Sequence, residues 1–248
     1  MHIIIPARFA SRRLPGKPLA DVAGKTLIER VYDRARASGA RSVTVATDDA
    51  RIAEAVRAFG AQVCMTATTH PSGTDRIGEA IRLLGLGPEE IVVNLQGDEP
   101  LMPPALIRSV AALLERDRNA VMATACHPIS DMETLRNPNT AKVVCDVNGY
   151  ALYFSRAPIP WPRDRMSGDV SAPIRAARHI GLYAYRAGFV ARYCAWEPCA
   201  LEEEEKLEQL RVLWHGERIA VHVTDDAPPN GVDTPEDLAR VRKHFEGR

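Results

Sequence analysis

Residues 1–46 read MHIIIPARFASRRLPGKPLADVAGKTLIERVYDRARASGARSVTVA. His2 to Ile5 is a short apolar run suited to a buried strand. Leu27, Ile28, Val31 and Ala35 then fall on one helical stripe over Leu27 to Ala37, which Gly39 stops, and Ser42 to Ala46 is again apolar and β-branched. Strand, helix and strand in that order form a βαβ unit, so the segment predicts an α/β fold with a parallel sheet. The rhythm continues outward. Asp48 or Asp49 is placed to cap a helix carrying Ile52, Ala53, Val56 and Phe59, and Gly60 to end it before an extended Gln62 to Met65. Thr74 to Leu84 reads as a helix, Ile91 to Leu95 as a fully buried strand, and Pro103 to Leu114 as a helix with prolines at its start.

Beyond Ala120 extended runs follow one another at Ala120 to Cys126, Lys142 to Val147, Ala151 to Phe154 and His179 to Arg186. With the Pro- and Arg-rich stretch Pro158 to Arg165 and a polar loop to about Ala172, they predict an antiparallel insertion or lid, within 127–215, inside one domain spanning 1–248. One helix is expected over Leu201 to Leu213, a late strand over Ile219 to Thr224, and a closing helix over Thr234 to Phe245.

Across 248 residues, 32 basic side chains balance 32 acidic ones, which argues against broad electrostatic wrapping of nucleic acid or of an anionic membrane. No apolar run is long enough to span a bilayer, and the first strand lacks the features of a signal peptide, so a cytoplasmic location without membrane insertion is expected. The five cysteines have no C-x-x-C spacing and are expected to be reduced and mostly buried.

Against this neutral background, residues 1–20 hold four cations, Arg8, Arg12, Arg13 and Lys17, and no acid. The loop PARFASRRLPGK leaves the carboxyl end of the first strand, the edge where open α/β sheets bind ligands, and so suits an anion, although a solvated basic loop would read the same way. It matches neither the P-loop nor the G-x-G-x-x-G pattern, which disfavours a P-loop NTPase and an ordinary dinucleotide fold. A second segment, VVNLQGDEP, ends a buried strand in Asp98 and Glu99. Asp98 is suited to a hard cation such as Mg²⁺, Gly97 to close backbone approach to a ligand, and Glu99 to a strand-end turn.

In GVDTPEDL, Thr234, Pro235 and Asp237 fit N-cap, N1 and N3 of a helix, leaving Asp233 as part of the cap or as a metal ligand. In THPSGTDR, Ser72, Gly73 and Thr74 read as a turn with a helix cap, with nucleobase recognition as the alternative. His179 and Tyr183 share one face of a strand, lining either a pocket or a sheet surface. Glu202 to Glu205 with Glu208 read as the solvated face of a helix, Arg156 as a carboxylate clamp, and Trp161 and Trp196 as packing or subunit-contact groups.

Taken together, IPARFASRRLPGKPL, HPSGTDR, VNLQGDEP, ALYFSRAPIPW, RHIGLYAYR, LEQLRVLW and GVDTPEDL resemble the 3-deoxy-manno-octulosonate (Kdo) cytidylyltransferases of bacterial lipopolysaccharide assembly, over nearly the whole chain. The resemblance implies a Rossmann-like nucleotidyltransferase sheet, a smaller dimerising or lid region in a homodimer, and Mg²⁺-dependent transfer of CMP from CTP to Kdo. It implies triphosphate contacts at Arg8, Arg13 and Lys17, and cytidine contacts at Ala7, Ser72, Gly73, Arg76 and Gln96. Mg²⁺ ligands are implied at Asp98 and Asp233, and sugar-acid contacts at Arg156, His179, Tyr183, Glu208 and Gln209. Arg13, Lys17 and Asp98 are the expected catalytic groups. Rival readings are a cytidylyltransferase for sialic acid or 8-amino-Kdo, a metal-dependent glycosyltransferase, and a silent nucleotide-binding module.

Overall fold

A computed structural model describes residues 1–10, 13–166, 173–226 and 228–247. The chain begins with β1 (His2–Ala7), a small hairpin of β2 (Asp21–Val22) and β3 (Lys25–Thr26), α1 (Leu27–Ala37), β4 (Ser42–Thr47), α2 (Ala50–Ala58), β5 (Gln62–Met65), α3 (Gly73–Leu83), β6 (Ile91–Asn94) and α4 (Pro104–Arg116). It continues through β7 (Met122–Pro128), α5 (Met132–Arg136), β8 (Lys142–Cys145), β9 (Ala151–Ser155), α6 (Arg163–Met166) and β10 (Ala177–Arg186). The last elements are α7 (Ala187–Cys194), α8 (Ala200–Glu205), α9 (Leu210–Trp214), β11 (Ile219–Val223) and α10 (Pro235–Glu246).

The chain divides into two compact units. The first comprises Met1–Ala111, Leu182–Ala195 and Pro228–Arg248. Its strands β5, β4, β1 and β6 lie side by side and parallel, and residues Tyr183–Arg186 of β10 run antiparallel to β6. Ile3, Ile4 and Ile5 are fully buried, as a strand covered on both faces requires. The helices that cover it start where sequence chemistry places them: Thr26 caps α1, Asp49 caps α2 and Ser72 caps α3, each accepting from a backbone N–H of the first turn. Gly78 lets α7 lie close to α3, since a Cβ there would come within 2.7 Å of Cys194 Sγ.

The second unit comprises Ala112–Gly181 and Trp196–Ala227. Here β7 and β11 pair in parallel, β8 and β9 pair antiparallel, and the start of β10 pairs antiparallel with β8 at Ala177 and Arg178. Ile129, Leu135 and Ala176 form a small core of their own.

Two expectations need correction. The single helix expected over Leu201 to Leu213 is two short ones, α8 and α9. Lys206 takes the left-handed conformation (φ 53°, ψ 46°) and ends α8, which allows Leu207 to be buried before α9 begins. The acidic run is also not a uniformly solvated face. Glu202 is buried and accepts two hydrogen bonds from Arg211, Nε to Oε2 at 2.7 Å and Nη2 to Oε1 at 2.6 Å, and Glu205 is tied to Ser155 and Arg156. Glu203, Glu204 and Glu208 are exposed. Helix α7 is an element the sequence reading did not include; its buried Phe189, Val190 and Tyr193 do carry a helical spacing, but over a single short stretch joined directly to a strand.

Candidate active site

The parallel order β5, β4, β1, β6 reverses direction between β1 and β6, since the chain builds from β1 outward to β5 and then returns to place β6 on the other side of β1. Open α/β sheets bind ligands at the carboxyl ends of the strands at such a switch point. The cationic loop leaves the end of β1, and Gln96 to Asp98 leave the end of β6, so the fold sets both loops at that point. Gly97 serves this closeness within the chain: a Cβ there would lie 2.9 Å from the backbone oxygen of Pro6.

Lys17 emerges from the loop just after Gly16, whose left-handed backbone (φ 68°) and N–H bond to Phe9 O (3.3 Å) close the turn. The Phe9 ring lies 3.4 Å beneath the guanidinium of Arg51, which is itself paired with Asp49. Lys17 Nζ donates to Asp98 Oδ2 at 2.7 Å, to Val232 O at 2.9 Å and to Asp233 Oδ1 at 3.3 Å. Arg13 Nη2 reaches the same Asp233 oxygen at 3.1 Å. Asp98 and Asp233, 135 positions apart in sequence, therefore meet on one ammonium group.

Asp233 arrives there by backbone design. Val232 N–H donates to Asp98 O at 2.8 Å, and Val232 is buried with Val22, Leu27, Leu238 and Val241. Gly231 permits the approach, because a Cβ there would come within 2.8 Å of Glu99 Oε1 and 3.0 Å of Asp98 O. The expected cap is present as a reciprocal box between Thr234 and Asp237, with Pro235 in the first turn, and it fixes the start of α10 immediately after Asp233. Capping and a ligand role for Asp233 are thus compatible: the cap engages Thr234 and Asp237 and leaves the Asp233 carboxylate directed at Lys17.

Two half-exposed carboxylates that already converge on a cation suit a hard ion that takes one or two carboxylates and completes its shell with water and phosphate oxygens. Among the described residues no group of three or more His, Cys, Asp or Glu side chains could hold a metal, so a protein-only cage is absent there.

The other nucleotide-site candidates of the first unit follow β1, β5 and β6. Ala7 ends β1 and is buried, while Arg8 is exposed; Arg12 lies outside the described residues. Ser72 Oγ accepts from Asp75 N–H and donates to Asp75 Oδ2 at 2.6 Å, and Gly73 sits against Pro6. Turn and cap are therefore realised at the segment that the alternative reading assigned to a nucleobase. Arg76 is buried, with Nη1 donating to Thr66 Oγ1 at 2.5 Å and Nη2 paired with Asp48 at 2.8 Å, so its guanidinium braces two loops of the sheet edge. Gln96 donates to Asn94 Oδ1 at 3.2 Å. Near this edge, His70 Nε2 and Glu79 Oε2 are 2.5 Å apart, and this contact, with Ala67 N–H, holds the Glu79 carboxyl below its usual range.

Of the expected sugar-acid residues, Tyr183 belongs to the first unit, where its ring stacks on Tyr185 (6.1 Å between centroids). Arg156, His179, Glu208 and Gln209 belong to the second. His179 packs edge-on against Phe154 and lies 2.9 Å from Thr124 Oγ1. Thr124 directs its proton to Ile180 O (3.1 Å), so its oxygen accepts from His179 Nε2–H. Burial, aided by the charge of Arg178, pushes His179 down to about 3, so the ring is neutral at pH 7. Gln209 is buried and Glu208 exposed. Arg156 is held by its neighbours: Nε donates to Glu205 O at 2.7 Å and Nη1 to Pro138 O at 3.0 Å. Trp196 stacks on His215 (4.0 Å between centroids), a packing role, and Trp161 is exposed. Lys142, whose ammonium also reaches Arg156 O, had no sequence signal beyond being a lysine at the start of an apolar strand.

The model of the cytidylyltransferase family matches residues 2–219. The chain is 58% identical to the 3-deoxy-manno-octulosonate cytidylyltransferase of Idiomarina loihiensis, over 97% of this chain and 96% of that protein, and 55% identical to that of Vibrio vulnificus, again over 97% and 96%. A solved structure of a CMP:2-keto-3-deoxy-manno-octonic acid synthetase in complex with CTP superposes with a TM-score of 0.90 at 41% identity, covering 99% of this chain and 98% of that one. The fold, the paired loops at the switch point and these full-length likenesses agree, and the chain belongs to the cytidylyltransferase family, alongside its 3-deoxy-manno-octulosonate members.

Proposed function

We propose that this chain transfers CMP from CTP to Kdo, releasing pyrophosphate and forming CMP-Kdo, the activated sugar for lipopolysaccharide assembly. The observation that carries the reading is the convergence of Lys17, Arg13, Asp98 and Asp233 at the switch point of the sheet. In the reaction the anomeric hydroxyl oxygen of Kdo bonds to the α-phosphorus of CTP and the bond to the β-phosphate oxygen breaks; the hydroxyl proton is released and pyrophosphate leaves with the electron pair. Both substrates are anions. Two unit charges about 4 Å apart repel by about 1 kcal/mol in water but by about 4 kcal/mol at an effective dielectric of 20, so a partly dry site needs fixed positive charge.

Lys17 and Arg13 supply that charge beside the leaving group, with Arg8 toward the triphosphate. Asp98 and Asp233 would hold Mg²⁺, which when bound neutralises phosphate oxygens and acidifies the attacking hydroxyl. Ala7, Ser72, Gly73, Arg76 and Gln96 frame the cytidine, Arg76 by bracing the sheet edge. In the second unit Arg156 receives the sugar-acid carboxylate, His179 takes part as a neutral ring, and Glu208 and Gln209 add sugar contacts. We place the enzyme in the cytoplasm as a homodimer. No described helix is long and apolar enough to cross a membrane, and among the described residues the most exposed large apolar side chains, Val147, Leu152, Trp161, Trp214 and Val223, all belong to the second unit, as a subunit contact there would require.

The test is pyrophosphate release with CTP, Kdo and Mg²⁺, each omitted in turn. Release that needs all three supports the reading. Release without Kdo, turnover only with sialic acid or 8-amino-Kdo, or consumption of a nucleotide sugar without pyrophosphate would overturn it.

A further inference from the structure

Among the largest fully buried side chains of the described residues is a lysine. Lys142 opens β8, is inaccessible to solvent, and directs its ammonium at three backbone carbonyls: Thr140 O at 2.7 Å, Asn137 O at 3.0 Å and Arg156 O at 2.5 Å. An ammonium has three donors, so all are used on the chain itself. Burying a cation costs several kcal/mol, and an apolar side chain of similar volume would commonly serve stability as well or better. What the lysine achieves, and a methionine would not, is to draw the 137–142 turn and the backbone of Arg156 onto one point.

Glu205 grips the same residue from the other side. Its Oε2 accepts from Arg156 N–H at 2.8 Å, its Oε1 from Ser155 Oγ at 2.5 Å, and its backbone oxygen from Arg156 Nε at 2.7 Å. Arg156 Nη1 closes the frame on Pro138 O at 3.0 Å, within the turn that Lys142 holds. Ser155 and Lys142 are direct cross-strand partners on β9 and β8. Two of the five guanidinium donors of Arg156 are thereby committed, and the Nη2 donors are unengaged among the described residues. The group Lys142, Arg156 and Glu205 carries one net positive charge, the sign an anionic ligand needs.

We propose that Lys142 and Glu205 are positioning residues that fix the guanidinium of Arg156, with Nη2 presented outward, to receive the carboxylate of the sugar acid. The inference rests on the role given to Arg156 above. Glu205 and Lys142 act on sugar-acid binding through Arg156, and neither acts on the nucleotide. A guanidinium already locked at Nε and Nη1 loses less side-chain freedom on binding than an unrestrained one, which is affinity gained by pre-organisation.

Steady-state pyrophosphate release, with Kdo and CTP varied separately, tests this in Arg156→Lys, Glu205→Gln, Lys142→Met and the double variant Arg156→Lys/Glu205→Gln. Thermal unfolding establishes that each is folded. Loss of a charge-assisted contact predicts that Glu205→Gln and Lys142→Met raise KM for Kdo about 10- to 100-fold, with KM for CTP within about twofold and kcat changed far less than KM. Glu205→Gln should add less than about twofold in the Arg156→Lys background, because its route is already cut. If Arg156→Lys leaves KM for Kdo unchanged, the sugar-acid role of Arg156 falls and the inference with it. If Arg156→Lys raises KM but Glu205→Gln does not, affects both substrates equally, or acts additively with Arg156→Lys, the role of Arg156 stands and the positioning inference is overturned. Should Lys142→Met fail to fold, the Glu205 cycle decides alone.

Discussion

Acidification from pH 7 to pH 5 singles out His179. Its ring lies between Phe154 and Thr124, and burial holds it at about 3, against about 6.5 for an exposed histidine. Because the folded value is the lower one, the unfolded chain takes the proton first. The stability owed to a neutral His179 is therefore complete above pH 6.5 and is lost as the pH falls toward 3. At pH 5 the unfolded form gains RT ln(1 + 10^1.5) from this one ring, about 2 kcal/mol. The variant His179→Gln keeps a polar side chain but has no proton to gain, so the wild-type stability should fall by about 2 kcal/mol more than the variant's over this interval. Contributions from Glu79 and the other carboxylates cancel in that difference. Urea unfolding at both pH values measures it, and proton NMR supplies a direct companion: the ring resonance missing from His179→Gln should not move between pH 8 and pH 5 in the wild type. A resonance that titrates near 6.5, or parallel stability changes in the two proteins, would refute the neutral assignment.

Two further outcomes follow from contacts in the first unit. Gly97→Ala places a methyl group 2.9 Å from Pro6 O, a backbone atom, and should cost about 1–3 kcal/mol of stability, seen as a lower unfolding midpoint; an unchanged midpoint would show that the two loops are not tightly apposed. Lys17→Met removes the ammonium shared by Asp98 and Asp233 and should lower kcat/KM for CTP by about 10²- to 10³-fold with the fold retained; a rate within a few-fold of wild type would remove Lys17 from the chemistry.

Much of the first unit is legible in sequence because its signals are local. The stripe Leu27, Ile28, Val31, Ala35 ends at a glycine, and α1 spans the expected residues; Ser72, Asp49 and Thr234 cap their helices as their side chains allow. The meeting of Asp98 with Asp233 was another matter. Asp98 alone reads as a site for a hard cation and Asp233 as a cap residue or a ligand, and only the family resemblance joins them; the structure supplies the cause in the Val232 N–H to Asp98 O bond and the glycine that permits it. The second unit was less readable. Nothing in LEEEEKLEQL distinguishes Glu202 and Glu205, which are bound by Arg211 and by Ser155 and Arg156, from Glu203 and Glu204, which face water. The left-handed Lys206 that separates α8 from α9 lacks the glycine by which such breaks are normally found. Lys142 is hidden for the opposite reason: a lysine is expected outside, and its burial depends on two carbonyls of the turn before it and one from the strand end at Arg156.

The proposed function requires Asp98 and Asp233 together to present a divalent cation to the triphosphate. Binding of Mn²⁺, as a paramagnetic substitute for Mg²⁺, to the enzyme with CTP and without Kdo tests it without reliance on turnover. Asp98→Asn and Asp233→Asn should each weaken Mn²⁺ binding at least about tenfold, and the double variant should bind no more metal than CTP holds in free solution. Wild-type Mn²⁺ affinity in both single variants would contradict it.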